Sequence, residues 1–323
     1  MIHTKKKWIL WLSGILLITA LIYLGICAII YDRFSKLPSG HRDSTGNTPT
    51  HFTHNPQGYE WFNPTPYFLS SYQTVQFPSK SPGITISGWF IPGKAGHPVI
   101  IIVHGYLTSK ADTRVLVMAS LLHKHGFSVL AIDLRDNGTS TLEDGRTSLG
   151  TKEFMDVLGA KEWLIKNGFP ASKIGLAGGS MGAATSLMAF QKDPSIRAVF
   201  ADSSYASLEK VVAKELKTRH VPTLLAYMAV RLSWLISGDN LLKNSPLQAM
   251  RHLNGRSVMI VHSTQDPVIS FWHAQKLIEE AHNGHQVQVQ TWIHSLKGHC
   301  DSILIDPVPY ESKLVTFFES ALQ

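Results

Sequence analysis

The sequence predicts an α/β fold, a doubly wound and mostly parallel sheet, carried behind an N-terminal transmembrane helix. Three observations lead there. Continuous β-branched runs such as PVIIIV (98–103) read as strands buried on both faces. Amphipathic stretches of helix length alternate with them, as βα units require. WILWLSGILLITALIYLGICAII (8–30) runs 23 residues without a charge, enough to cross a hydrocarbon core of about 30 Å.

The apolar run comes first in the chain. A cleaved signal peptide has a shorter apolar region, about 7 to 15 residues, and a small-x-small exit, so an uncleaved anchor over residues 1–36 is expected. Lipoprotein processing at Cys27 is disfavoured because Ile26 stands where a small residue is needed. Lys5, Lys6 and Lys7 precede the helix with no acid, whereas Arg33, Lys36 and Arg42 after it are partly offset by Asp32 and Asp43. The positive-inside rule then puts the N-terminus in the cytoplasm and the rest outside, which is the periplasmic side if the source is bacterial. Residues 37–70 hold Pro38, Pro49, Pro56, Pro64 and Pro66 among polar residues and read as a loose stalk. Tyr59, Trp61, Phe62, Tyr67 and Phe68 argue that its second half packs onto the domain at 71–323.

Within that domain the spacing predicts strands at 72–77 and 84–91 around a Ser-Pro-Gly turn, then at 98–103, 128–134, 173–177, 198–202, 258–262 and 287–293. Helices are predicted at 110–125, 152–167, 181–191, 272–282 and 310–322, the first two closed by Gly126 and Gly168. Residues 207–247 contain no convincing strand and read as a helical lid insertion. Its apolar run, 221–236, contains Arg231 and Pro222, which argues against a second membrane span. Such a lid can simply cover core, or its apolar face can line a pocket or rest on the membrane.

Composition excludes several classes. Much of the net charge of +7 comes from the N-terminal segment, and no basic run follows, so a nucleic-acid surface is not expected. The two cysteines, Cys27 and Cys300, are isolated, so neither a disulfide framework nor a zinc pattern is available. His123, His125, His282 and His285 lie at helix ends among polar neighbours and read as solvated side chains, so no metal or cofactor is implied.

The stretch Gly178-Gly179-Ser180-Met181-Gly182 matches Gly-x-Ser-x-Gly, a pattern that chance supplies in roughly one chain in ten of this length. Its position is more telling. Ser180 follows a buried strand and precedes a helix, the setting in which a strained turn presents a nucleophilic hydroxyl to a helix N-terminus. Such a serine needs a base, and later strand ends carry Asp266 and His299.

With these pieces in place the chain resembles the α/β-hydrolase superfamily over about residues 71–323. The likeness rests on GGSMG, VHGY (103–106), DLRDNGTS (133–140), HSTQDPV (262–268) and KGHC (297–300), in order and at the expected strand ends. The opening strands and SGWFIP (87–92) look like the membrane-tethered or peptidase-like branch. The resemblance implies Ser180 as nucleophile, His299 as general base and then acid, and Asp266 as the orienting carboxylate. It also implies an oxyanion hole from the backbone N–H groups of Met181 and Tyr106. Asp202 is a rival acid at a strand end, Asp301 is too near His299 in sequence, and His262 and His294 are explained by packing. Asp136-Asn137 and Ser263 depart from the usual Gly-His and Gly. Cys300 is either a reactive thiol or a packed neighbour.

The expected function is a membrane-anchored serine hydrolase that cleaves a small ester or acyl substrate. The alternatives are a serine peptidase or amidase, and a catalytically silent tethered binding protein.

Overall fold

The computed structural model describes residues 2–38, 45–251, 253–284 and 289–323. Arg42, Asp43, His285 and Val287 lie outside the described residues. Strands β1 (Gln73–Pro78), β2 (Thr85–Ile91), β3 (Val99–Val103), β4 (Ser128–Ile132), β5 (Ile174–Gly179), β6 (Ala198–Asp202), β7 (Ser257–Ser263) and β8 (Val289–His294) form one sheet. Its order is β1-β2-β4-β3-β5-β6-β7-β8. β2 pairs antiparallel with both β1 and β4, and every later pairing is parallel.

The helices are α1 (Ile2–Ser35), α2 (Thr113–Lys124), α3 (Phe154–Lys166), α4 (Met181–Lys192), α5 (Leu208–Thr218), α6 (Leu224–Ser237), α7 (Pro246–Arg251), α8 (Trp272–Asn283), α9 (Ser302–Ile305) and α10 (Pro307–Ala321). Helix α2 starts three residues later than its amphipathic pattern suggests, because the Asp112 side chain accepts from the Arg114 N–H and caps it there. All five residues of β3 are buried. Ile100 and Ile102 join one core with Leu116 and Leu122 of α2 and Phe317 and Phe318 of α10. The strand buries both faces, which is why its sequence does not alternate.

The chain divides into two compact units, Met1–Lys36 with Leu208–Lys243, and Leu37–Ser207 with Asn244–Gln323. In the larger unit the segment after the predicted anchor packs sooner than its composition suggests. Asn47 donates to the Ala111 carbonyl (3.2 Å), Phe52 is fully buried, and Phe62 stacks on Tyr67. Aromatic area drives this, since each such ring buries far more surface than the prolines around it expose.

In the smaller unit α1 holds a stretch, Leu10–Ser35, long and apolar enough to cross a membrane. Its side chains are largely exposed from Leu10 to Ile22. Helix α6 packs against the far end of α1, where Cys27 Sγ meets the Leu225 carbonyl (3.7 Å) and the Tyr31 hydroxyl meets Ser237 Oγ (2.6 Å). Gly238 ends α6 in the left-handed conformation (φ 77°). Among the described residues, those between β6 and β7 form helices α5, α6 and α7 and no strand.

Candidate active site

Strand β5 ends at Gly179 and α4 begins at Met181, so Ser180 alone makes the turn. Its backbone sits at φ 56°, ψ −119°, a region that costs a non-glycine residue on the order of 1–3 kcal/mol. The turn is held from both sides: the Ser180 N–H donates to the Asp202 carbonyl (2.8 Å), and the Ala184 N–H donates to the Ser180 carbonyl (3.1 Å). The neighbouring glycines are a packing requirement. A Cβ at Gly182 would lie 2.1 Å from the Val103 carbonyl oxygen, and one at Gly178 would lie 2.6 Å from the Gly182 carbonyl carbon. The first turn of α4 can therefore approach the end of β3. The Ser180 side chain caps no helix N–H, and the Met181 N–H, at the start of α4, has no intrahelical acceptor.

His299 arrives from the loop after β8. Its Nδ1 donates to Asp266 Oδ2 (2.7 Å), which in the neutral ring leaves Nε2 as the acceptor nitrogen, because a carboxylate can only accept. The Asp266 side chain is fully buried, and its Oδ1 accepts the N–H groups of Val268 and Ile269 (2.8 and 2.9 Å). Burial works against its charge, yet the His299 and backbone hydrogen bonds outweigh this and hold the carboxyl below its usual range. Burial likewise opposes charge on His299. The Asp266 carboxylate, hydrogen-bonded to Nδ1, reverses the balance and raises the imidazole well above its ordinary value.

Ser180 and His299 line one cavity of about 130 Å³, together with Tyr106, Arg114, Gly179 and Cys300. It opens beyond the carboxyl ends of β3, β5 and β6, where a doubly wound sheet gathers its functional groups. Buried His104 shapes its rim. Nδ1 donates to the Gly105 carbonyl (2.8 Å) and Nε2 accepts the Leu134 N–H (3.1 Å), which ties the loop bearing Tyr106 to the end of β4. Burial lowers the His104 pKa, keeping the ring neutral for this pair of bonds.

The rival residues have other partners. Asp202 accepts from the Tyr310 hydroxyl (3.2 Å) and from Ser203 (3.0 Å), and burial pushes its carboxyl up to about 6. Buried His262 contacts the Ile269 carbonyl through Nε2 (3.0 Å). Asp136 and Asn137 do not line the cavity; Asp136 Oδ1 instead accepts the N–H groups of Glu143 (2.7 Å) and Gly145 (2.9 Å), fixing the loop that follows β4. Cys300 is packed. Its sulfur lies 3.9 Å from His299 Nε2 and would meet a Cβ at Gly179 at 3.1 Å, and burial raises the thiol pKa.

Four residues matter more than the sequence reading allowed. Asp301 is no partner for the imidazole, but its Oδ2 accepts the His299 backbone N–H (3.0 Å) while Oδ1 accepts from Arg114 Nη2 (2.6 Å) and Nε (2.8 Å). Burial and the Asp301 carboxylate raise the nearby Tyr59 hydroxyl to about 12. Ser263, noted only as a departure, donates to the Leu296 carbonyl and ties the end of β7 to the same loop. No motif marks Arg114, Asp301 and Tyr59, because their partnership exists only across three separate chain segments.

Residues 113–319 match the prolyl oligopeptidase family. A comparison with curated proteins finds no match. Among solved structures, an esterase from Pyrococcus furiosus is similar at 22% identity and a TM-score of 0.66, covering 90% of this chain and 100% of its own. An α/β hydrolase from Penicillium, GrgF, is 18% identical with a TM-score of 0.64, over 78% of this chain and 99% of its own. The acylaminoacyl peptidase of Pyrococcus horikoshii is 17% identical with a TM-score of 0.59, over 78% of this chain and 42% of its own. At these identities the likeness establishes the α/β-hydrolase fold.

Proposed function

This chain belongs to the prolyl oligopeptidase family and is a serine hydrolase, and from that premise we propose that it is a membrane-anchored esterase working through an acyl-enzyme on Ser180. The observation that carries the catalytic assignment is the buried Asp266–His299 pair, whose histidine lines the same cavity as Ser180. Nε2 of His299 takes the Ser180 proton as the hydroxyl attacks the ester carbonyl. Asp266 holds the ring in that tautomer and stabilises its cation. The N–H groups of Met181 and Tyr106 receive the developing oxyanion. The imidazolium then protonates the leaving alcohol, and water attacks the acyl-enzyme by the reverse route.

The ester reading is supported by similarity along the full length of the Pyrococcus furiosus esterase, against 42% of the acylaminoacyl peptidase. The second reading, a peptidase or amidase, is favoured by the family match itself. A fluorophosphonate probe is expected to label the wild type and not Ser180→Ala, and an unlabelled folded wild type would rule out the mechanism. Hydrolysis of p-nitrophenyl acyl esters beside peptide p-nitroanilides separates the two readings; faster turnover of the amides would reject the esterase.

The anchor is α1, with its lysine-rich start in the cytoplasm and the catalytic unit outside. Protease added to cells whose outer envelope has been removed, with the inner membrane sealed, should digest the catalytic unit, and full protection there with digestion after lysis would reverse the orientation.

A further inference from the structure

We propose that α6 is a second membrane element, an interfacial helix embedded in the same leaflet as the far end of α1. This rests on the reading of α1 as a membrane anchor. Contacts within the smaller unit set its depth. Leu225, near the start of α6, meets Cys27, which stands three residues inside the end of the uncharged run at 8–30, about 4.5 Å at 1.5 Å per residue. Ser237, at the end of α6, meets Tyr31, just beyond that run. The two contacts are about 18 Å apart along α6 but only about 6 Å apart along α1. Helix α6 therefore packs beside the last turns of α1, at the level where the hydrocarbon core gives way to headgroups.

Its surface suits that level. Ala226, Ala229, Val230 and Ser233 are buried within the protein. Leu224, Trp234, Leu235 and Ile236 are 67%, 62%, 71% and 44% exposed, a cluster that costs free energy in water and gains it among acyl chains. The one charge inside the helix, Arg231, is paired with Glu209 of α5 (2.8 Å). At 14 residues α6 is about 21 Å long, too short to cross a core of about 30 Å. Trp234 near its end is the residue type that concentrates at membrane interfaces. The occupant of this face is phospholipid: the exposed apolar cluster is continuous with the lipid-facing helix on which α6 packs, and Arg33 and Lys36 follow at headgroup level.

The test uses the full chain in phosphatidylcholine–phosphatidylglycerol vesicles, with a nitrobenzoxadiazole label at Leu224→Cys, Leu235→Cys, Ile18→Cys or Lys217→Cys. The parent chain, whose two cysteines are buried, supplies the background, and fluorophosphonate labelling confirms that each variant is folded. Quenching by lipid carrying a nitroxide in its acyl chain is expected at Leu224→Cys and Leu235→Cys, at about half or more of that at Ile18→Cys, and not at Lys217→Cys. Quenching at Ile18→Cys alone would overturn the inference while leaving the anchor standing, whether the other labels report water or a protein neighbour. No quenching at Ile18→Cys would overturn the anchor, and the inference with it.

Discussion

The serine turn and the histidine loop meet at one cavity, yet they are built in opposite ways. Around Ser180 nearly everything is local: a buried strand, a helix, one residue at φ 56° between them, and glycines whose missing side chains let α4 touch β3. Around His299 nearly everything is distant. Asp266 holds the ring, Asp301 and Arg114 hold the backbone, and Ser263 holds the preceding segment at Leu296. A nucleophile can be written into a pentapeptide because strain and helix geometry are properties of short segments. A base must be positioned to within a fraction of an ångström, and a loop reaches that precision only through partners elsewhere in the fold.

The sharpest break on the serine side is Ser180→Ala, expected to lower kcat by about 10⁵–10⁶-fold in an ester assay, with the denaturation midpoint little changed. On the histidine side Asp266→Asn should cost about 10⁴-fold, by presenting the wrong tautomer, while Asp202→Asn should stay within about tenfold. Comparable losses in the two variants would reassign the orienting acid.

The pH profile reads the same pair. His299 acts as base only when neutral and its pKa is raised, so kcat/KM should climb with pH through an inflection above 6.5. Asp266→Asn should move that inflection to lower pH. An inflection unmoved by this change would mean that the titrating group is not His299.

Smaller effects separate local from distant support. Gly182→Ala places a methyl group against the Val103 carbonyl and should destabilise the fold by about 1–3 kcal/mol or more, seen as a lower urea midpoint. Asp301→Asn removes the carboxylate between Arg114 and the His299 backbone. It should lower kcat by about 10–100-fold with KM nearly unchanged; loss of stability alone, with kcat intact, would demote Asp301 to a structural residue. The smallest expected signal is thermodynamic. Burial raises the Asp202 carboxyl to about 6 from 3.8, so its contribution favours the fold at low pH and is lost as pH rises through about 6. Asp202→Asn should flatten the fall in stability over that window, and an unchanged slope would contradict the assignment.

Much of this was legible before any coordinates. The β6 segment, Ala198–Asp202, and the start of α4 at Met181 coincide with the sequence reading, because continuous apolar runs and a Gly-x-Ser-x-Gly turn are short-range signals. The early packing of Asn47 and Phe52 was not legible, since proline content masks what a few aromatic rings can bury. The value of Ser263 was also hidden: a substitution for glycine looks neutral until its acceptor, the Leu296 carbonyl, is brought beside it.

By itself the sequence determined the apolar helix, the order of strands and helices, and the three residue types needed to activate a hydroxyl, because hydrophobic periodicity and turn chemistry act over a few residues. Only the tertiary structure decided that Asp266 rather than Asp202 faces His299, that Asp301 braces the histidine backbone through Arg114, and that α6 packs against the end of α1. Those outcomes depend on hydrogen bonds and packing between segments far apart in the chain, and such contacts exist only once the chain has folded.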